Sequence, residues 1–169
     1  MPPMARFFLG FLVLQVLLFG TELTPWAQRW FVVPWTDTLA TISAGIVKVF
    51  DPGVMADGKV LQSGSNGFAV SIEAGCNGVE ATIVFVAAIL AFPAPWKRKL
   101  VGLAVGIVAV QALNVIRVIS LFYLGQWSFD AFDFAHRYVW QALIMLDVLI
   151  VWLLWVRQLP HAVRAPAAV

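Results

Sequence analysis

Three runs of the chain, Val79–Phe92, Leu100–Tyr123 and Tyr138–Val156, are almost wholly apolar, and each with its flanks has the length that crosses about 30 Å of hydrocarbon. A fourth run, Phe7–Leu23, follows Arg6 in the manner of a secretory signal, but no A-x-A-like cleavage site comes after it, so it is expected to remain as the first span. Composition agrees, with 62% hydrophobic residues, 12% charged residues and 8 tryptophans, well outside the range of a soluble domain. The expectation is one all-α integral membrane domain over residues 1–169, with about four transmembrane helices at roughly 7–23, 77–93, 100–121 and 138–156. A net charge of +2, scattered along the chain, argues against nucleic-acid binding.

Residues 24–75, between the first two spans, are expected outside the membrane. There Trp35, Leu39, Ile42, Ile46 and Val49 recur at helical spacing, while Asp37, Thr41 and Lys48 occupy the other faces. The pattern predicts an amphipathic helix over 35–50 lying in the outer interface rather than a fifth span. From Asp51 to Gly75 glycines interrupt any helix, and Phe68, Val70 and Ile72 alternate with Ala69, Ser71 and Glu73. With Lys59–Gln62 across the "SGSNG" stretch, this predicts a small extracytoplasmic β-hairpin. Basic residues set the orientation: Lys97, Arg98 and Lys99 in one short loop, Arg157 and Arg164 after the last span, and Arg6 before the first mark the cytoplasmic side. Asp51, Asp57, Glu73, Asp130 and Asp133 then fall outside, with Trp26, Trp30, Trp35 and Trp127 near the outer boundary.

Helical rise places three chemically capable side chains at one depth. The chain rises ~27 Å from Lys99 to Arg117, close to the full hydrocarbon thickness, so Arg117 lies near the outer surface. His136 follows "GQWSFDAFDFA", read as a loop, at the outer start of the last span, and Cys76 stands at the outer start of the second. Cys76 is the only cysteine, which leaves neither an internal disulfide nor a zinc site of several thiolates. A lone cysteine is ordinarily packing, and a histidine or arginine at a helix end is ordinarily an interfacial contact. Together they carry chemistry. A nearby cation and a helix amino terminus favour the thiolate. An imidazole can take the thiol proton and return it to a leaving amine. A guanidinium can hold a developing oxyanion or the substrate carbonyl.

No H-E-x-x-H cluster points to metal chemistry, no serine sits in a G-x-S-x-G setting, and Asp147, Gln111 and Glu80 make a poor transport path. No cofactor or metal is expected. The alternative class is a non-enzymatic assembly or scaffold subunit of an export or envelope system, which would leave the convergence of Cys76, Arg117 and His136 as coincidence.

"EAGCNGVEA" at 73–81, "NVIRV" at 114–118 and His136 at the head of the last span, in that order, resemble the exosortase/archaeosortase family of membrane sorting enzymes. The resemblance covers about residues 60–156, and the wording around Cys76 together with the short chain is similar to the exosortase H subgroup. It implies a cysteine transpeptidase-like enzyme in the bacterial cytoplasmic (inner) membrane, its site facing the extracytoplasmic side. The implied partners are membrane lipid and secreted proteins ending in a short IPTL-type motif, a transmembrane helix and a basic tail. Carried over, Cys76 is the nucleophile, Arg117 the electrostatic or substrate-orienting residue, and His136 the general base and acid.

Around these three, Asn114 lies on the face of the helix that carries Arg117 and is expected to orient it or a substrate carbonyl, or else to serve packing alone. Glu80, one turn below Cys76, is a partner for Arg117, for His136 or for a structural ion pair. Asn77 can donate to an oxyanion or simply start the helix, and Gly75 and Gly78 allow close backbone approach. Asp147 lies ~16 Å below His136, too deep for the same site, with Gln111 as its candidate partner. Arg137 and Tyr138 read as interfacial anchors, and His161 as a solvated residue of the cytoplasmic tail.

Overall fold

The computed structural model describes residues 3–160; Arg164 and His161 of the expected cytoplasmic tail lie outside them. The elements follow in the order α1 (Pro3–Glu22), α2 (Pro25–Ala27), a π-helical turn (Gln28–Val32), α3 (Val33–Val47), β1 (Val54–Asp57), β2 (Val60–Ser63), β3 (Ala69–Ser71), α4 (Val79–Ala91), α5 (Trp96–Trp127), α6 (Phe129–Phe134), a second π-helical turn (Ala135–Val139) and α7 (Trp140–Arg157). Four helical runs are long and apolar enough to cross a membrane: Pro3–Glu22, Pro25–Val47, Trp96–Trp127 and Phe129–Arg157. The fold is thus a mostly helical membrane protein with one small sheet.

Three local features differ from the sequence reading, each for a visible reason. First, the segment expected to span at 77–93 forms a helix of only 13 residues, ~20 Å long and shorter than the hydrocarbon layer. Its start is delayed by the turns around Cys76, with Gly78 at φ 74°, and its end is set by Phe92, which is extended ahead of Pro93. Second, the expected loop 125–135 is helical. α5 runs on to Trp127, Ser128 alone is extended, and its hydroxyl accepts from Ala131 N at 3.3 Å to start α6. Third, β1 joins the expected hairpin of β2 and β3, giving an antiparallel sheet of order β1-β2-β3 with Ala56 opposite Leu61 and Leu61 opposite Val70.

The run Pro25–Val47 takes in the segment expected as an interfacial helix. It starts well, because Thr24 accepts from Ala27 N at 3.2 Å and Pro25 occupies a first-turn position. The length of the run fits a span, yet α3 packs against β1 and β2. Leu39, Ala40, Ala44 and Val47 share a core with Val54, Leu61 and Ile72 of the sheet region and with Val118 and Phe122 of α5. The buried stripe is rotated from the expected one. Small residues meet the sheet and permit a close approach, while Ile42, Ile46 and Val49 point outward.

A second core joins α4, α5 and α7 through Phe85, Ile89, Val110, Ile144, Val148 and Trp155. Gly106 makes this packing possible, since a Cβ there would collide with the Phe85 ring. Trp155 Nε1 donates to Arg98 O at 3.0 Å, and the Phe7 ring lies 5.9 Å from that of Phe92. Lys97, Arg98 and Lys99, which form the first turn of α5 rather than a loop, therefore gather with Arg157 and the start of α1 at one end of the bundle. The sheet and the Cys76 turn sit at the other.

Candidate active site

β3 leads into a short stretch of turns, 74–78, that presents Cys76. Gly75 and Gly78 adopt φ 83° and φ 74°, left-handed values that only glycine takes without strain. Cys76 N donates to Glu73 O at 2.9 Å, and Gly75 N donates to Glu80 Oε1 at 2.6 Å. Asn77, 1% exposed, ties the stretch together. Its Oδ1 accepts from Val79 N at 3.0 Å and opens α4, its Nδ2 donates to Thr36 Oγ1 at 3.1 Å, and its backbone carbonyl accepts from Trp35 Nε1 at 3.1 Å. α3 thus holds the turn from the side, while Gln111 Nε2 of α5 holds it from beneath through Gly78 O at 3.1 Å.

The structure brings Cys76, Arg117 and His136 together. Cys76 Sγ lies 2.9 Å from His136 Nε2, and Arg117 Nη2 donates to Sγ at 3.5 Å while Nη1 donates to Gly75 O at 3.4 Å. Arg117 is 2% exposed inside the wall of α5, so its charge acts where little water screens it. His136 stands on the second π-helical turn with its ring stacked on Phe132, centroids 5.6 Å apart and planes 19° apart. Burial pushes the Cys76 thiol above its ordinary pKa, and the Arg117 guanidinium opposes that shift. With Nε2 as the acceptor nitrogen of the ring, the 2.9 Å contact is the one along which a thiol proton passes to the imidazole. Both groups open on a cleft of 80 Å³ between β3 and α6. Such an arrangement can generate a thiolate by local proton transfer and offer a fixed cation to the charge that develops on a carbonyl oxygen.

The neighbouring residues take some of the places read for them and leave others. Glu80 bonds to the Gly75 amide and is not ion-paired with Arg117 among the described residues. Asn77 takes the helix-start position, with both ends of its amide hydrogen-bonded. Asn114 is fully buried, but neither its Nδ2 nor its Oδ1 has a hydrogen-bond partner, so it does not hold Arg117; its amide lies against the backbone of Gly78. Gln111 bonds Gly78 O and Thr82 Oγ1 rather than Asp147, whose Oδ2 is buried without a partner. Arg137 pairs with Asp133 at 2.7 Å on the exposed side of the helix.

Trp35, Thr36 and Phe132 were not singled out as site residues by sequence. Phe132 lies four residues before His136, and reading 129–135 as helix would have stacked the two rings. Trp35 and Thr36 reach Asn77 over a separation of 41–42 residues, for which no local pattern exists.

No curated protein and no solved structure matches the chain. A family model, described as transmembrane exosortase (Exosortase_EpsH), matches residues 4–156, which takes in the Cys76 turn, the Asn114 to Arg117 stretch and the His136 turn. With nearly its whole length inside that match, the chain belongs to the transmembrane exosortase family.

Proposed function

We propose that this protein is a membrane-embedded cysteine transpeptidase-like enzyme that cleaves the carboxy-terminal sorting tail of secreted proteins through a thioester on Cys76. The family is one of cysteine transpeptidases. The observation that carries the reading for this chain is the joint geometry of Cys76 Sγ, 2.9 Å from His136 Nε2 and 3.5 Å from Arg117 Nη2.

In the proposed reaction His136 Nε2 takes the thiol proton as Sγ attacks the scissile carbonyl carbon. The carbonyl π pair moves onto oxygen, where Arg117 donates to the oxyanion. Collapse breaks the C–N bond, His136 returns the proton to the leaving amine, and the acyl group stays on Cys76. Water or an amine then gives a proton to His136 and takes the acyl group, regenerating the thiol. Asn114, with its unpaired amide beneath the turn, is a supporting residue for the substrate in this reading.

The basic residues at the opposite end of the bundle support a cytoplasmic position for that end and an extracytoplasmic one for the site. A peptide bond just outside a substrate's own transmembrane helix then arrives at the depth of Cys76, with the substrate's basic tail in the cytoplasm. The IPTL-type motif of the exosortase H subgroup is the proposed signal, and the bacterial inner membrane the proposed location.

Co-expression with a reporter carrying such a tail tests the proposal. The wild type shortens the reporter, while Cys76→Ala and Cys76→Ser leave it intact; shortening by both variants ends the nucleophile assignment. An impermeant thiol reagent applied from outside intact cells labels Cys76, and labelling only from the cytoplasmic side reverses the orientation. Arg117→Lys loses most of the activity, because a single ammonium nitrogen lacks the planar fork that reaches Gly75 O and Cys76 Sγ from two separate nitrogens.

A further inference from the structure

We infer that the free edge of β3 receives the substrate as a fourth, parallel strand, so that the residues preceding the scissile bond pair backbone to backbone with Ala69 and Ser71. The inference rests on the thioester reading above and names how that site holds its peptide.

β3 is an edge strand, last in the order β1-β2-β3. On its inner side Phe68 O accepts from Ser63 N at 2.8 Å and Ile72 N donates to Lys59 O at 3.0 Å. Antiparallel ladders alternate, so the N–H and C=O groups of Phe68, Val70 and Ile72 turn toward β2 and those of Ala69 and Ser71 turn away from it. Unpaired edge groups of this kind are templates for another strand. Ser71 and Glu73 line the same narrow cleft as Cys76, Arg117, Phe132 and His136. Val70 and Ile72 also line this cleft, so an occupant lies along β3.

Chain direction follows from two contacts with α5. The Phe68 ring packs against Gly125, and Gly75 O accepts from Arg117. Between them the chain descends α5 by ~12 Å, from the outermost end of the bundle toward the membrane. A substrate whose transmembrane helix follows its scissile bond enters from that same end and continues downward, which makes its polarity that of β3. Two outward-facing residues across a strand of three pair with about four residues of an incoming strand, the length of a short motif. Backbone pairing supplies binding, and alternate side chains facing the Phe132 wall supply selection.

Disulfide trapping in membranes of the full-length Cys76→Ala protein tests the strand directly. Ser71→Cys is paired with single cysteines placed through the reporter's motif. Cross-links at one position and again two residues away, with the residue between them unlinked, are the expected result; uniform linking, or none, overturns the inference. In the Cys76 protein, Ala69→Pro and Ser71→Pro remove edge donors without touching the β2 ladder, and reporter cleavage falls at least tenfold while the rate of Cys76 alkylation by a small reagent stays within twofold. Cleavage at the wild-type rate by both proline variants refutes the strand alone. A wild type that leaves the reporter whole refutes the thioester reading with it.

Discussion

Asn77 and Asn114 flank the same turn, are equally buried, and have opposite hydrogen-bond circumstances. Asn77 uses both ends of its amide, toward Thr36 and Val79, and its backbone carbonyl meets Trp35. Asn114 uses neither end, and beside it Gln111 Oε1 and Arg117 Nε are also buried without partners. A buried amide with its partners in place stabilises a fold by about 1 kcal/mol per bond, whereas one left unpaired costs about 1–3 kcal/mol. The side layer, Asn77 with α3, therefore builds the turn. The lower layer on α5 keeps polar atoms without protein partners, a condition found at groups kept for a reaction.

Gly78 separates the two layers, and its substitution is the strongest way to disturb both. A Cβ there would stand 2.8 Å from Gln111 Oε1 and 3.0 Å from Asn114 Cγ, on a backbone at φ 74°. Gly78→Ala is expected to destabilise the protein by about 2–3 kcal/mol and to abolish reporter cleavage, read by thermal unfolding in detergent and by the shortened product. Wild-type stability would mean that Asn114 and Gln111 move freely and that the lower layer is not fixed.

Next in size is Asn77→Ala. It removes the bond that opens α4 and the tie to α3, for an expected loss of about 1–2 kcal/mol. Cleavage falls about tenfold as the Cys76 turn loosens, roughly 1.4 kcal/mol in the barrier. Thr36→Val keeps the shape of α3 but strands Asn77 Nδ2 and drops the hydroxyl's own bond to Val32 O, so it should cost about 1 kcal/mol, with a smaller loss of cleavage. Should Thr36→Val equal Asn77→Ala in both measurements, the tie to α3 rather than the start of α4 sets the turn.

Much of this plan is legible from hydropathy and helical rise, which are local or additive quantities. The apolar runs locate α1, α5 and α7, and counting 1.5 Å per residue brings Arg117 to the depth of Cys76 and His136. Alternation at 68–73 finds β3 and its partner. β1 escapes because "VMAD" offers one β-branched residue and is only four residues long. The true start of α4 escapes because it depends on left-handed glycines that hydropathy does not register. α6 had a signal, Ser128 as a cap, masked by the glycine and polar residues just before it. The coupling of α3 to Asn77 is a tertiary fact, written in Trp35 and Thr36 only after the fold brings them there.

The smallest expected effect on stability is the most informative for the lower layer. Leucine has nearly the branched outline of asparagine, so Asn114→Leu replaces an unpaired amide by an apolar group of similar shape against Gly78. With no hydrogen bond to lose, unfolding should stay within about 1 kcal/mol of wild type or shift to greater stability. Cleavage should nonetheless drop at least tenfold, because the amide kept for a substrate carbonyl is gone. A clear loss of stability would show that Asn114 is partnered through water and belongs with Asn77 as a structural residue. Unchanged cleavage would leave its burial without a use in the reaction, and the distinction between the two layers would then rest on Arg117 alone.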